Sequence, residues 1–157
     1  MSLEHRDMPL GRTIGLIAKR YIGILYNQLK HLGVGPYFIV LVITERTNGT
    51  LTQQEIADAS GLDKTNVLRI IDNLSEKQLL IRVPKPDDRR AYLIQLTEGG
   101  KEIMPNVNTA INELNKACFN GISQEEIDAF YRIMDKINNN MELFPDEGLD
   151  FSIKDNT

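Results

Sequence analysis

The chain has one cysteine, Cys118, no tryptophan, and only two histidines, His5 and His31, in 157 residues. One cysteine excludes an intramolecular disulfide and a cysteine-built zinc site, which leaves Cys118 to be either a small hydrophobe or a redox thiol. Two histidines far apart, without a ligand partner at helical spacing, offer no metal site and no general base. The carboxylates are scattered over polar helix faces with no acid-base pair, and Gly33-Val34-Gly35 follows a helix instead of a strand, so a phosphate-cradling loop is missing too. The expectation is a protein that is not an enzyme and carries no cofactor. No run approaches the roughly 18 apolar residues that span a bilayer, and Met1 to Asp7 lacks the apolar core of a signal peptide, so a cytoplasmic location and no membrane partner are expected.

What is present suits one compact domain with a helical appendage: 41% apolar and 25% charged residues in a length typical of a single folding unit. The formal net charge of -4 argues against a nucleic-acid partner until the charges are located. Leu62 to Tyr92 holds seven basic residues (Lys64, Arg69, Lys77, Arg82, Lys85, Arg89, Arg90) and five acidic ones, for +2, leaving the remainder at -6. Positive charge is therefore concentrated in about a fifth of the chain, and an acidic protein can still present one basic face.

Apolar residues at three-to-four spacing predict a long amphipathic helix over 10–32, stopped by Gly33-Val34-Gly35. Pro36 sits where proline is tolerated, in the first turn of a second helix reaching about Arg46, with Phe38, Ile39, Leu41, Val42 and Ile43 largely buried. Asn48-Gly49 reads as a turn. Thr52-Gln53-Gln54-Glu55 is a capping box that opens a short helix to about Ala59, and after Ser60-Gly61-Leu62, Asp63 is the N-cap of a helix to Lys77. Two helices joined by a few residues with a glycine make a helix-turn-helix candidate. Leu79–Val83 and Tyr92–Leu96 predict a β-hairpin with a long charged tip. A further helix is expected over 101–119, with Pro105 in its opening turn, and Ser123-Gln124-Glu125-Glu126 caps a last one. On that last helix Ile127, Phe130, Met134, Ile137 and Met141 are spaced 3, 4, 3, 4, a coiled-coil-like seam. The fold class expected is mainly α with a small β-hairpin wing. Its winged helix-turn-helix lobe covers 36–100, its helical dimerisation region 10–35 and 101–143, and 144–157 is a flexible tail.

On the helix from Asp63, Val67, Ile70, Ile71 and Leu74 share the core side. The opposite side carries Thr65, Arg69, Asp72 and Glu76, flanked by Asn66, Leu68 and Asn73, with Lys64 at its start. Such a helix fits the major groove, where arginine pairs with guanine, asparagine with adenine, and an apolar group with the thymine methyl. Lys64 and Thr65, near unpaired helix-start amides, suit phosphates. A polar helix face alone is also what solvation produces, but the hairpin that follows carries Lys85, Arg89 and Arg90 at its tip, where an arginine can enter the electronegative minor groove. Asp88, two residues before Arg90, can pair with and orient an arginine at that tip.

The run Leu62-Asp63-Lys64-Thr65-Asn66-Val67-Leu68-Arg69-Ile70-Ile71-Asp72-Asn73-Leu74, then Leu79-Leu80-Ile81-Arg82, Asp87-Asp88-Arg89-Arg90-Ala91 and Leu96-Thr97-Glu98-Gly99-Gly100, resembles the recognition helix and wing of the bacterial MarR family. The resemblance implies a transcriptional regulator, commonly a repressor, that binds a pseudo-palindromic double-stranded operator as an intertwined homodimer. It implies that Thr65, Asn66, Leu68 and Arg69 approach bases while Arg89 or Arg90 reaches the minor groove, and that a small aromatic ligand is a common means of release. Ile14 and Ile17 on the first helix, with the seam of the last, are the expected dimer interface. Tyr21, Tyr37 and Phe38 are the expected ligand pocket, with core packing as their alternative role. A winged-helix module that binds protein without DNA is the alternative for the whole chain. Two positions depart from the family pattern. Gln78 stands where a glycine is usual, so it must accept the left-handed cap conformation, at about 1 kcal/mol, or end the helix differently. Cys118 lies near the end of the fifth helix, whereas cysteine-sensing members carry the thiol near the start.

Overall fold

The computed structural model describes residues 8–144. Six helices and one hairpin follow in the order α1 (Leu10–Leu29), α2 (Phe38–Arg46), α3 (Gln53–Ser60), α4 (Lys64–Glu76), β1 (Leu80–Lys85), β2 (Asp88–Leu96), α5 (Glu98–Cys118) and α6 (Gln124–Met141), with short 3-10 turns at Lys30–Leu32 and Gly35–Tyr37. This is the mainly α fold with a hairpin wing that the patterning implies. The chain divides after Leu114 into two compact units.

The first unit owes its core to the faces read from periodicity. Val67, Ile71 and Leu74 of α4 are fully buried with Ile56, Leu41, Ile94, Met104 and Val107. Of the α2 residues expected inside, Phe38, Leu41 and Val42 are buried and Ile39 and Ile43 only partly so, while Val40 and Thr44 join the interior. The Thr44 hydroxyl is accommodated there by donating to the Val40 carbonyl at 2.8 Å.

The helix starts follow local chemistry. Thr52 and Glu55 form the reciprocal capping box on α3, Ser123 and Glu126 the one on α6, and Asp63 caps α4 by accepting from the Asn66 amide at 2.9 Å. The end of α4 is equally defined. Gln78 takes φ +57, its N–H donates to the Ser75 carbonyl, and the Leu79 N–H reaches the Leu74 carbonyl, both at 2.9 Å. These are the two bonds of a Schellman motif, completed by the buried pair Leu74 and Leu79. Gln78 thus occupies the conformation usually given to glycine.

Three expectations need correction. The long first helix ends at Leu29, and a 3-10 turn with Gly33 at φ +70 carries the chain to the end of the predicted span. Helix α5 begins at Glu98, three residues before the expected Lys101, so Pro105 lies in its interior instead of its opening turn. Pro105 has no N–H to offer the Lys101 carbonyl, and both residues are exposed. The hairpin strands run further than their apolar cores, to Lys85 and Asp88, so the long charged tip reduces to Pro86-Asp87.

In the second unit α6 has no buried residue. Phe119, Phe130 and Tyr131 meet edge to face or tilted, with ring centroids 5.3 to 6.3 Å apart. No helix among the described residues is long and apolar enough to cross a membrane. Of the expected tail, 145–157 lies outside the described residues.

Candidate nucleic-acid interface

The buried stripe of α4 leaves its other side open along the first three turns. Lys64, Thr65, Leu68 and Arg69 are exposed together, Leu68 by 41% despite being apolar. Asn66 is half-buried and tied to the N-cap, its carboxamide Nδ2 donating to Asp63 Oδ2 at 2.6 Å. Asn73 is drawn inward. It is half-buried, and its Oδ1 is enclosed without a hydrogen-bond partner, which sets it apart from the other polar residues proposed for this face.

The hairpin stands beside this helix and is fastened to it. Arg82 of β1 donates to Asp72 of α4 at 2.6 Å, a pair still partly in solvent. Sequence reasoning placed Asp72 on the open helix face and missed this contact, since ten residues across a helix-to-strand turn correspond to no periodic spacing. The Thr97 hydroxyl also donates to the Gln78 carbonyl, joining the far end of the hairpin to the end of α4.

Register along the hairpin is regular from Leu80 opposite Leu96 to Pro84 opposite Tyr92, and then shifts so that Lys85 faces Asp88. The shift leaves Arg89, Arg90 and Ala91 without partners on β1, so the basic dipeptide lies in a bulge, a feature that bends a strand and re-aims its side chains. Asp88 closes this bulge by accepting the Arg90 backbone N–H at 2.9 Å. Among the described residues the contact of Asp88 with an arginine at the tip is this one, to the Arg90 backbone, an Asx turn that the i to i+2 spacing could have indicated. Arg90 is exposed and Lys85 half-buried; the Arg89 side chain lies outside the described residues.

Charge at this surface is set by capping. The Asp63 carboxyl is held below the ordinary carboxylate range chiefly by the Asn66 backbone N–H. Glu55 is held down by the Thr52 amide first, then by the Thr52 hydroxyl, with the Lys85 ammonium adding to it. Both carboxylates are thus spoken for by helix-start amides, while Lys64, Arg69 and Arg90 make no ion pair among the described residues.

The other expected residues divide differently. Phe38 is in the core, and Tyr21 and Tyr37 pack against it. The Tyr37 ring lies under the Lys77 ammonium, 5.3 Å from the centroid. Two surface cavities of the first unit, of about 360 and 340 Å³, are lined by Thr44, Glu45, Gln95 and Lys101 and by Ser75, Gln78, Arg82 and Thr97, with none of these three aromatics. On α1, Ile14 is half-buried and Ile17 is 66% exposed. On α6, Phe130 and Met141 are exposed and Ile127, Met134 and Ile137 half-buried. No group of metal-binding side chains occurs among the described residues.

Residues 35–91, the helix-turn-helix and most of the hairpin, match the sequence profile of the MarR family. Solved structures resemble the chain over a longer span. Wild-type MarR from E. coli in its apo form is 25% identical over 83% of this chain and 96% of its own, with a TM-score of 0.66. The transcriptional regulator SlyA is 25% identical over 87% and 96%, at 0.77. A MarR-family transcriptional regulator from Listeria monocytogenes, solved in complex with a 26mer DNA, is 24% identical over 85% and 89%, at 0.78, and shares the fold.

Proposed function

We propose, from the premise that this chain is a winged helix-turn-helix protein of the MarR family, that it is a repressor that binds a pseudo-palindromic duplex operator as a homodimer. The observation that carries this reading is the open face of α4, where Lys64, Thr65, Leu68 and Arg69 stand together beside a wing whose bulge presents Arg90. A helix with an exposed guanidinium and apolar group beside the half-buried carboxamide of Asn66 is equipped to read base edges, and lysine and threonine at its start to hold phosphates. Arginine on the wing suits the narrow minor groove. A solved structure in complex with a 26mer DNA has this fold, which makes DNA the partner of first choice.

A dimer supplies the two-fold symmetry that a palindromic site requires. The apolar residues left open on α1 and on α6, among them Ile17, Phe130 and Met141, are proposed as the surfaces that a second copy covers. An aromatic effector is the expected class of releasing ligand for such a regulator. Its site is not assigned to Tyr21, Tyr37 and Phe38, whose packing is accounted for by the core.

Selection of bound sequences from random duplexes by the purified protein tests the reading directly. A two-fold symmetric consensus is the expected result, with affinity falling against salt at a log-log slope of about -0.9 per phosphate neutralised. Arg69→Ala and Arg90→Ala should each weaken binding to that consensus by tenfold or more, on the order of one lost charge-assisted contact. Binding without salt dependence, or unchanged affinity in both variants, refutes the assignment of the interface. Phe130→Glu should shift the sedimentation coefficient toward that of a monomer if α6 lies in the dimer contact.

A further inference from the structure

Asn66 is held twice by one carboxylate. Its backbone N–H donates to Asp63 Oδ1 at 2.9 Å, and its side-chain Nδ2 donates to Asp63 Oδ2 at 2.6 Å. The first bond is the N-cap, which the single oxygen of a serine would supply as well. The second is not needed for capping and demands a second acceptor oxygen. An ionised carboxylate only accepts, so the nitrogen of the carboxamide, never its oxygen, must face Asp63. The amide of Asn66 is thereby fixed against a 180° flip.

What remains free follows from amide geometry. Nδ2 carries two hydrogens; the bond to Asp63 uses one, directed back toward the start of the helix. The second hydrogen and Oδ1 are not used by that bond, so Asn66 keeps one donor and one acceptor. That pair complements the major-groove edge of adenine, which offers the N7 acceptor beside the N6 amino donor. Resting on the DNA-binding reading above, we propose that Asp63 is a positioning residue for base specificity, holding the Asn66 carboxamide in the one orientation that reads adenine.

The arrangement has an electrostatic cost that makes it testable. A carboxylate at the start of a recognition helix repels nearby phosphates and weakens binding to every sequence equally. A residue kept only to cap the helix would serve without a charge. Asp63→Ser, which keeps the cap oxygen, is therefore expected to bind random duplex as well as the parent or better while discriminating less.

The experiment compares consensus sites selected by the full chain, by Asp63→Ser, by Asp63→Asn and by Asn66→Ala, with circular dichroism confirming equal helix content. The parent is expected to select adenine at one position of each half-site, and Asn66→Ala to lose that preference there and nowhere else. Asp63→Ser should reduce it by roughly tenfold at the same position, the scale of a bidentate base contact. Asp63→Asn keeps the cap but offers an N–H to Asn66, turning its amide over, and should abolish the preference. Retained adenine preference in Asp63→Ser and Asp63→Asn overturns the proposal, as does an unaltered consensus in Asn66→Ala. Equal loss of specific and random binding in the folded Asp63 variants also overturns it, because that marks a purely structural cap. If the parent binds no duplex at all, the proposed function has failed, an outcome distinct from loss of one base preference in a protein that still binds.

Discussion

Replacing Gln78 with glycine should stabilise this protein. Gln78 holds φ +57 at the residue after the α4 cap, and the two Schellman hydrogen bonds on either side of it keep it there. A left-handed conformation costs an L-residue with a Cβ roughly 1 to 2 kcal/mol, and glycine avoids that while losing about 0.5 to 1 kcal/mol more backbone entropy on folding. The net gain is then about 0 to 1.5 kcal/mol, with a central value of about 0.75 kcal/mol. Little opposes it, since the Gln78 side chain is exposed and makes no hydrogen bond among the described residues, and its carbonyl, which accepts from Thr97, is retained in glycine. At this chain length the central gain corresponds to a rise in Tm of about 1 to 4 °C. Calorimetric melts of parent and variant at one protein concentration measure it, the concentration being fixed because association adds to apparent stability. Gln78→Val supplies the opposite arm, since a β-branched residue is less tolerated at positive φ, and should melt below the parent. A glycine variant that melts at or below the parent temperature would show that the strain inferred at Gln78 is absent.

Gly100→Ala should be strongly destabilising, because a Cβ there would lie 2.2 Å from the Leu79 carbonyl oxygen, and overpacking of this kind costs about 1 to 3 kcal/mol or more; a chemical-denaturation midpoint equal to that of the parent would refute it. Asp63, Glu55 and Glu126 have carboxyls lowered by their capping hydrogen bonds from ordinary values of 3.8, 4.5 and 4.5, so their contribution to stability is complete above those values and is lost as pH falls through the lower folded ones. Glu55→Gln and Glu126→Gln should therefore flatten the fall of Tm below pH 4.5, and an acid limb of unchanged steepness would count against the caps. Breaking the partly exposed Arg82–Asp72 pair with Asp72→Ala should cost less than about 1 kcal/mol, and a double-mutant cycle giving several times that would mean the pair is far better shielded than its exposure indicates.

The legible parts of this fold are those governed by residues close in sequence. Thr52 with Glu55, Ser123 with Glu126, and Asp63 before a 3.6-residue apolar repeat are complete local instructions, and the three helices begin where those residues place them. The outer face of α4 was legible for the same reason, because once Val67, Ile70, Ile71 and Leu74 point inward, Thr65 and Arg69 cannot. What was misread depends on contacts from elsewhere in the chain. Gly99-Gly100 carries the signature of a loop, yet both are helical in α5. Their missing side chains let the helix start pass over the Gln78 and Leu79 carbonyls. Tertiary packing overrides weak intrinsic propensity there. The Arg82–Asp72 pair and the inward turn of Asn73 likewise have no sequence signal of their own. At the wing the charges of Lys85 to Arg90 were visible, but the bulge that separates Arg90 from β1 arises from a register shift that composition does not encode.

The hairpin has one further consequence, for the protein at high concentration. Its sheet has two strands, and β2 also bridges to Thr52 through Leu93, whereas no described strand pairs with the other side of β1. An open edge of that kind is a template for another extended chain, and proteins that keep one guard it with proline, lysine and irregular register. β1 ends in Pro84-Lys85, where the ladder shifts: proline withholds a donor, lysine adds charge, and the regular pairing surface stops short of the tip. The hairpin that carries Arg90 is thus also poorly suited to recruit a neighbouring strand, and the projection proposed to enter a groove is guarded against seeding aggregation.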